Sequence, residues 1–142
     1  MIPGGGERTG GVVEGAEEPA GLDPAGAGAV ARGFARAMLA RDHQAAASFF
    51  CADALILTPD DTQVRGRAAI AHLLGQLTSA GPELEIRTGR TLAVAEVAHC
   101  TQFWRRRSGR NGTSGFESQT TTRLVLHRRA ERWQIAIAMP WE

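Results

Sequence analysis

Four histidines and sixteen basic residues give this 142-residue chain its capacity for acid–base and anion chemistry, and one histidine and one arginine stand out by their surroundings. The stretch Val97–Arg107 has the composition of a strand. Its two-residue period groups His99, Thr101 and Phe103 on one face and Cys100, Gln102 and Trp104 on the other. An imidazole titrates close to neutral pH and can both accept and donate a proton, so His99 is the candidate general acid/base. Arg123 shares a strand face with Thr121 and Val125. Its guanidinium stays charged and can hold a carboxylate or stabilise an enolate-like oxygen without moving a proton. His72 follows Ile70 of an apolar helical stripe by two positions and is expected at the rim or outside, while His43 and His127 read as surface residues.

Several chemistries are excluded or disfavoured by what the chain contains. Every basic residue is arginine, so no lysine is present for a Schiff base or a phosphate-binding loop, and with no tyrosine there is no phenol to act as acid or oxyanion donor. Cys51 and Cys100 are too few for a disulfide framework or a cysteine-rich zinc site and are expected to be semi-buried thiols. The pair Asp60-Asp61 after Pro59 reads as a solvated turn, so neither metal nor any other cofactor is expected. Residues 1–23 carry Glu7, Glu14, Glu17, Glu18 and Asp23 against Arg8, a net charge of −4, which leaves +5 on the remainder. That balance is below what a nucleic-acid footprint requires. No stretch approaches the roughly 18 apolar residues of a membrane span, and the start lacks a basic region followed by an apolar core. The expectation is a cytoplasmic protein with neither nucleic acid nor membrane as partner.

The elements that must position His99 and Arg123 are legible in order. Residues 1–22, rich in Gly and Glu, are expected to form a disordered tail, and residues 23–142 a single domain. Asp23-Pro24 opens a helix over Pro24–Arg41 with Val30, Phe34, Met38 and Leu39 at helical spacing, and Asp42 caps a second, short one. A strand over Ala54–Thr58, a turn at Pro59–Asp61 and a short strand over Gln63–Arg65 precede a third helix, Ala68–Thr78, with Ile70, Leu73, Leu74 and Leu77 on one stripe. Glu83–Ala95 and Val97–Arg107 read as long strands meeting near Glu96, followed by a polar loop over Ser108–Gly115 and a strand opening at Phe116. The closing stretch RLVLHRRAERWQIAIAMPW reads as a hairpin, Arg123–His127 and Trp133–Met139 about the charged turn Arg128–Arg132. Alternation places Trp133, Ile135, Ile137 and Met139 on one bulky face, opposite Gln134, Ala136 and Ala138. Helices supplied early must cover a sheet completed late, which is an α+β domain.

That order, with the phrases FFCADALIL (Phe49–Leu57), VRGRAAI (Val64–Ile70) and LVLHRRAERWQIAIA (Leu124–Ala138), resembles the nuclear transport factor 2-like (SnoaL-like) superfamily over residues 27–141. The spacing is most similar to the SgcJ/EcaC branch associated with enediyne antibiotic biosynthesis. The resemblance implies a cone-shaped fold, three N-terminal helices over a curved, mainly antiparallel sheet that encloses a pocket. Its members include isomerases, dehydratases, polyketide cyclases, epoxide hydrolases and non-catalytic binders. Ketosteroid isomerase-like members place a carboxylate base near the end of an early strand, where this chain has Thr58 and Pro59; that mechanism is not expected here. Where many SgcJ/EcaC-like sequences carry a polar residue near the end of the last strand, this one has Met139.

Within that fold the face of His99, Thr101 and Phe103 is expected to line the pocket, with His99 and Arg123 as the catalytic pair. Phe34, Met38, Phe50, Phe103, Met139 and Trp141 would form an apolar wall for a polyene or aromatic ligand, with Thr101 and Thr121 beside it. The implied role is an accessory protein of secondary metabolism that binds a polyketide-type intermediate and rearranges it without cofactor. The alternatives are a non-catalytic sequestering module, which the missing carboxylate and phenol favour, and a homodimerisation module. A homodimer is expected through the outer sheet face with Gln102, Trp104 and Thr122 as its patch. Arg105, Arg106, Arg107 and Arg110 read most simply as a solvated strand end and loop, and as an alternative could attract an acidic carrier protein of a polyketide synthase.

Overall fold

The computed structural model describes residues 24–79, 83–107 and 116–140. Expectations for the 1–22 tail, for Trp141 and for Arg110 lie outside the described residues.

Helix α1 (Pro24–Leu39) buries Ala27, Ala31, Phe34, Ala35 and Met38, a stripe at intervals of three and four residues. Its first half carries only small residues on that stripe, so it can lie close to the sheet. A Cβ on Gly28 would stand 3.2 Å from Thr91 Oγ1. The helix ends two residues before the expected Arg41, because Arg41 takes a left-handed φ of 59°. The Arg41 N–H then donates to Met38 O at 3.0 Å and the Asp42 N–H to Ala37 O at 2.9 Å, the paired bonds of a Schellman closure. Asp42 next caps α2 (His43–Ala47), its Oδ1 accepting from the Ala45 N–H at 3.0 Å.

Strand β1 (Phe50–Leu57) starts four residues earlier than the sequence suggested and pairs antiparallel with β2 (Gln63–Arg65). The turn between them closes as expected. The Thr58 N–H donates to Thr62 O at 2.9 Å, and hydrogen bonds from the Thr58 hydroxyl and from Thr62 to the Asp60 carboxyl hold it below its ordinary range. Gly66, at φ 89°, turns the chain into α3 (Arg67–Ser79), which buries Ile70, Ala71, Leu74 and Thr78. This third helix therefore follows two strands.

Four long strands complete the sheet: β3 (Glu83–Val94), β4 (Val97–Arg107), β5 (Phe116–Arg129) and β6 (Arg132–Met139). Consecutive members pair antiparallel, while β1 and β6 run parallel, giving the order β2-β1-β6-β5-β4-β3. The last hairpin turns on two residues only, Ala130 and Glu131, both with positive φ, the twist that a two-residue connection needs. Helices α1 and α3 pack on one face of the sheet, α1 over β3, β4 and β6 and α3 over β1 and β2, with α2 between them. No helix among the described residues is long and apolar enough to cross a membrane.

A bulge corrects the expected face of the last strand. Val125 pairs with Ile137 but Leu126 pairs with Ile135, so Ala136 has no opposite number and the side-chain alternation slips by one. Trp133, Ile135 and Ala138 are buried beneath the helices, whereas Ile137 and Met139 lie half-buried on the open face. One four-residue face thus becomes two.

Candidate functional site

Strand β4 decides where a site can lie, because its two faces meet different surroundings. Ala98, Cys100, Gln102 and Trp104 are buried beneath α1, with Thr122, Leu124 and Leu126 of β5 beside them. Gln102 is the hub of this covered face. Its Nε2 donates to Ala31 O at 2.9 Å and to Thr88 Oγ1 at 3.3 Å, and its Oε1 accepts from Trp104 Nε1 at 3.2 Å. One amide thereby ties α1, β3 and β4 together. Thr122, paired with Gln102 in register, is fully buried, and its Oγ1 has no hydrogen-bond partner among the described residues.

The expected orientation of β4 is therefore reversed. His99, Thr101 and Phe103 point to the open face of the sheet, together with Thr121, Arg123 and Met139, because α1 docks on the other side. The grouping itself is as expected: Thr101 pairs with Arg123, Phe103 with Thr121, and Arg123 with Met139. Arg123 is exposed and His99 is half-buried, facing Leu92 and Val125 across the neighbouring strands. The dimer patch expected from Gln102, Trp104 and Thr122 is corrected by the same observation, since all three are interior. The open face instead exposes Leu92, Val94 and Val97 near the β3–β4 turn.

Phe34 and Phe50 also take a different role from the one expected. Their ring centroids lie 5.5 Å apart at 80°, an edge-to-face pair in the packed core, and Phe34 approaches Trp104 at 6.3 Å. These rings are packed together as a floor. One helical turn beyond Phe34, at the end of α1, a groove of about 360 Å³ opens between Met38, Leu39, Thr78 and Leu84, rimmed by Arg41, Glu83 and Glu85. Met38 is the expected ligand residue that this groove retains. Leu84 stands one inward-facing step before Ile86, the register partner of Trp104.

The groove's helical wall is fixed by hydrogen bonds. Arg41 Nη1 donates to Thr78 O at 2.8 Å, and Thr78 Oγ1 donates back to Leu74 O and Gly75 O, each at 3.3 Å. His43 Nε2 lies 2.7 Å from Thr78 Oγ1. Arg41 and Thr78 were not singled out from sequence; the signal available was the Ala40–Asp42 junction, where a helix must stop before a capping aspartate. The buried polar side chains among the described residues are Thr78, Gln102 and Thr122, all uncharged. Burial pushes the thiols of Cys51 and Cys100 upward, so neither is activated as a nucleophile.

No protein-family model matches the chain, and no curated protein matches it. Solved structures do. A ketosteroid isomerase-like protein from Erwinia carotovora atroseptica superposes with a TM-score of 0.70 at 15% identity, covering 84% of this chain and 95% of that one. An NTF2-like protein with a cystatin-like fold from Novosphingobium aromaticivorans gives 0.70 at 16%, covering 84% and 80%. A protein from Catenulispora acidiphila, in complex with S-DNPA, gives 0.65 at 17%, covering 82% and 91%. The fold is that of the nuclear transport factor 2-like proteins, a mixed six-stranded sheet covered on one face by helices. That fold is shared by ligand-binding and isomerase-like proteins.

Proposed function

We propose that this chain is a small-molecule-binding module that takes an apolar ligand at the mouth groove of Met38, Leu39, Thr78 and Leu84. One observation carries the reading: the groove has apolar walls of Met38, Leu39 and Leu84, carries its charges, Arg41, Glu83 and Glu85, at the rim, and adjoins an interior whose buried polar groups are neutral. Apolar walls with a charged rim can hold and orient an apolar ligand. The polyketide-type class of ligand, an enediyne polyene among them, and an accessory place in secondary metabolism rest on the resemblance of the three phrases given above. A carrier protein or polyketide synthase partner rests on the same ground and on Arg105 at the end of β4. The test is titration with a fluorescent apolar polyene. Leu39→Asp, which puts a charge in the groove at a position already half exposed, should weaken binding by roughly tenfold or more. Unchanged binding would remove the groove as the site.

A second reading concerns the open face. His99, Thr101, Thr121 and Arg123 are grouped there, and a reaction catalysed by His99 and Arg123 would need that face covered to exclude water. A second copy of the chain could supply the cover, since Leu92, Val94 and Val97 offer exposed apolar contact and Val94 is 75% exposed. Light scattering should then report a dimer that Val94→Asp dissociates. A monomer at micromolar concentration would count against this reading.

A further inference from the structure

The mouth groove is not confined to the helix-covered side. Leu39, Leu84 and Glu85 also line a second hollow of about 490 Å³ that wraps β3, the edge strand of the sheet, and is bounded on the open face by Arg87, Phe103 and Arg105. Sharing three residues, the two hollows adjoin at the edge of the strand.

The second hollow has a built cationic end. The guanidinium carbon of Arg87 lies 4.6 Å from the centroid of the Phe103 ring. The ring in turn packs against the backbone at Gly89, where a Cβ would come within 3.1 Å of Phe103 Cε2 and 3.1 Å of Thr101 O. Any larger residue at 89 would displace the ring that supports Arg87. A guanidinium held over a ring keeps its charge and its planar fork of N–H donors, which matches the two oxygens of a carboxylate. The other charges near the hollow are already set against each other: Arg105 Nη1 lies 3.5 Å from Glu85 Oε1. Glu83 stands at the mouth groove. The opposite end has apolar walls, Leu39, Leu84 and Met38, with Arg41 and Thr78 beside them.

We propose that the two hollows act as one channel for an elongated amphipathic monocarboxylate. Its apolar chain runs over Leu39 and Leu84 toward Met38, and its carboxylate is anchored by Arg87 on Phe103. The inference rests on the mouth groove being the ligand site, and adds to it the ligand's charge and the residue that reads it.

The test compares cis-parinaric acid, a conjugated polyene carboxylate, with its methyl ester, using the probe's fluorescence. The full chain should bind the acid roughly tenfold or more tightly than the ester, the scale of one charge-assisted hydrogen bond. Arg87→Gln should abolish that preference while leaving ester binding as it was, and Arg87→Lys, which keeps the charge, should retain part of it. Arg87 is exposed, so circular dichroism should show all variants folded. Equal binding of acid and ester, or a preference untouched by Arg87→Gln, would overturn the proposal. If in that case the ester still binds and Leu39→Asp removes it, the mouth groove stands and only the carboxylate anchor fails; if neither probe binds, both readings fall.

Discussion

Thr122→Val should stabilise the protein, an uncommon direction for a substitution in a fully buried site. The Thr122 hydroxyl has no hydrogen-bond partner among the described residues and is shielded from water. Leaving a buried polar group unpaired costs about 1–3 kcal/mol. Valine replaces that hydroxyl by a methyl of similar size, so no cavity opens and the apolar burial rises slightly. We expect a gain of about 1 kcal/mol, which raises Tm by about 3–6 °C for a domain of this size. Gln102→Leu, at the position opposite, should act in the other direction. It removes the acceptor of the Trp104 indole N–H and the donors to Ala31 O and Thr88 Oγ1, and the loss should be about 2–4 kcal/mol. Urea denaturation at 25 °C reads both changes as shifts in midpoint at constant slope. A Thr122→Val variant less stable than the parent by about 0.5 kcal/mol or more would refute the reasoning, because it would mean that the hydroxyl is bonded in solution.

Four further outcomes are expected. Gly33→Ala should lose about 1–3 kcal/mol, since the new Cβ would stand 2.7 Å from Phe49 Cζ and the ring must shift; a stability within error of the parent would show that Phe49 moves freely. Cys51 and Cys100 should resist a thiol reagent at pH 8 in the native state and react at once in denaturant. Because both folded thiols titrate above the ordinary value of about 9, their contribution to stability is complete below that pH and is lost as pH rises through it, so the urea midpoint should fall from about pH 9 upward. His99→Ala should leave ester binding unchanged, as the imidazole faces Leu92 and Val125 and lines neither hollow; a loss of tenfold or more would place the ligand beside His99.

Much of the fold could be read from local rules. The Asp42 cap, the Pro59–Asp61 turn, the Ile70–Leu74 stripe and the break near Glu96 are each set by residues a few positions apart, and each falls where expected. Parity and covering were harder. The two faces of Val97–Arg107 separate cleanly by alternation, but which of them is covered depends on α1, whose Ala27 and Ala31 admit close docking against Gln102. A buried glutamine beneath a helix looks like a surface residue until its three partners are known. Ala136 shows the other limit: a one-residue bulge carries no signal in RWQIAIAM, yet it moves Ile137 and Met139 to the opposite face from Trp133 and Ile135. The mouth groove depends on a left-handed Arg41 and on Thr78, brought together from positions 37 residues apart, a pairing that spacing along the chain does not reveal.

The central claim is that the ligand site lies at the mouth of the helix-covered side. Amide chemical-shift mapping during titration with methyl parinarate tests it most directly. Shifts should concentrate at residues 38–41, 78 and 83–87, with residues 97–101 and 121–125 little changed. Shifts confined to 97–101 and 121–125 would contradict it and place the ligand on the open face, beside His99 and Arg123.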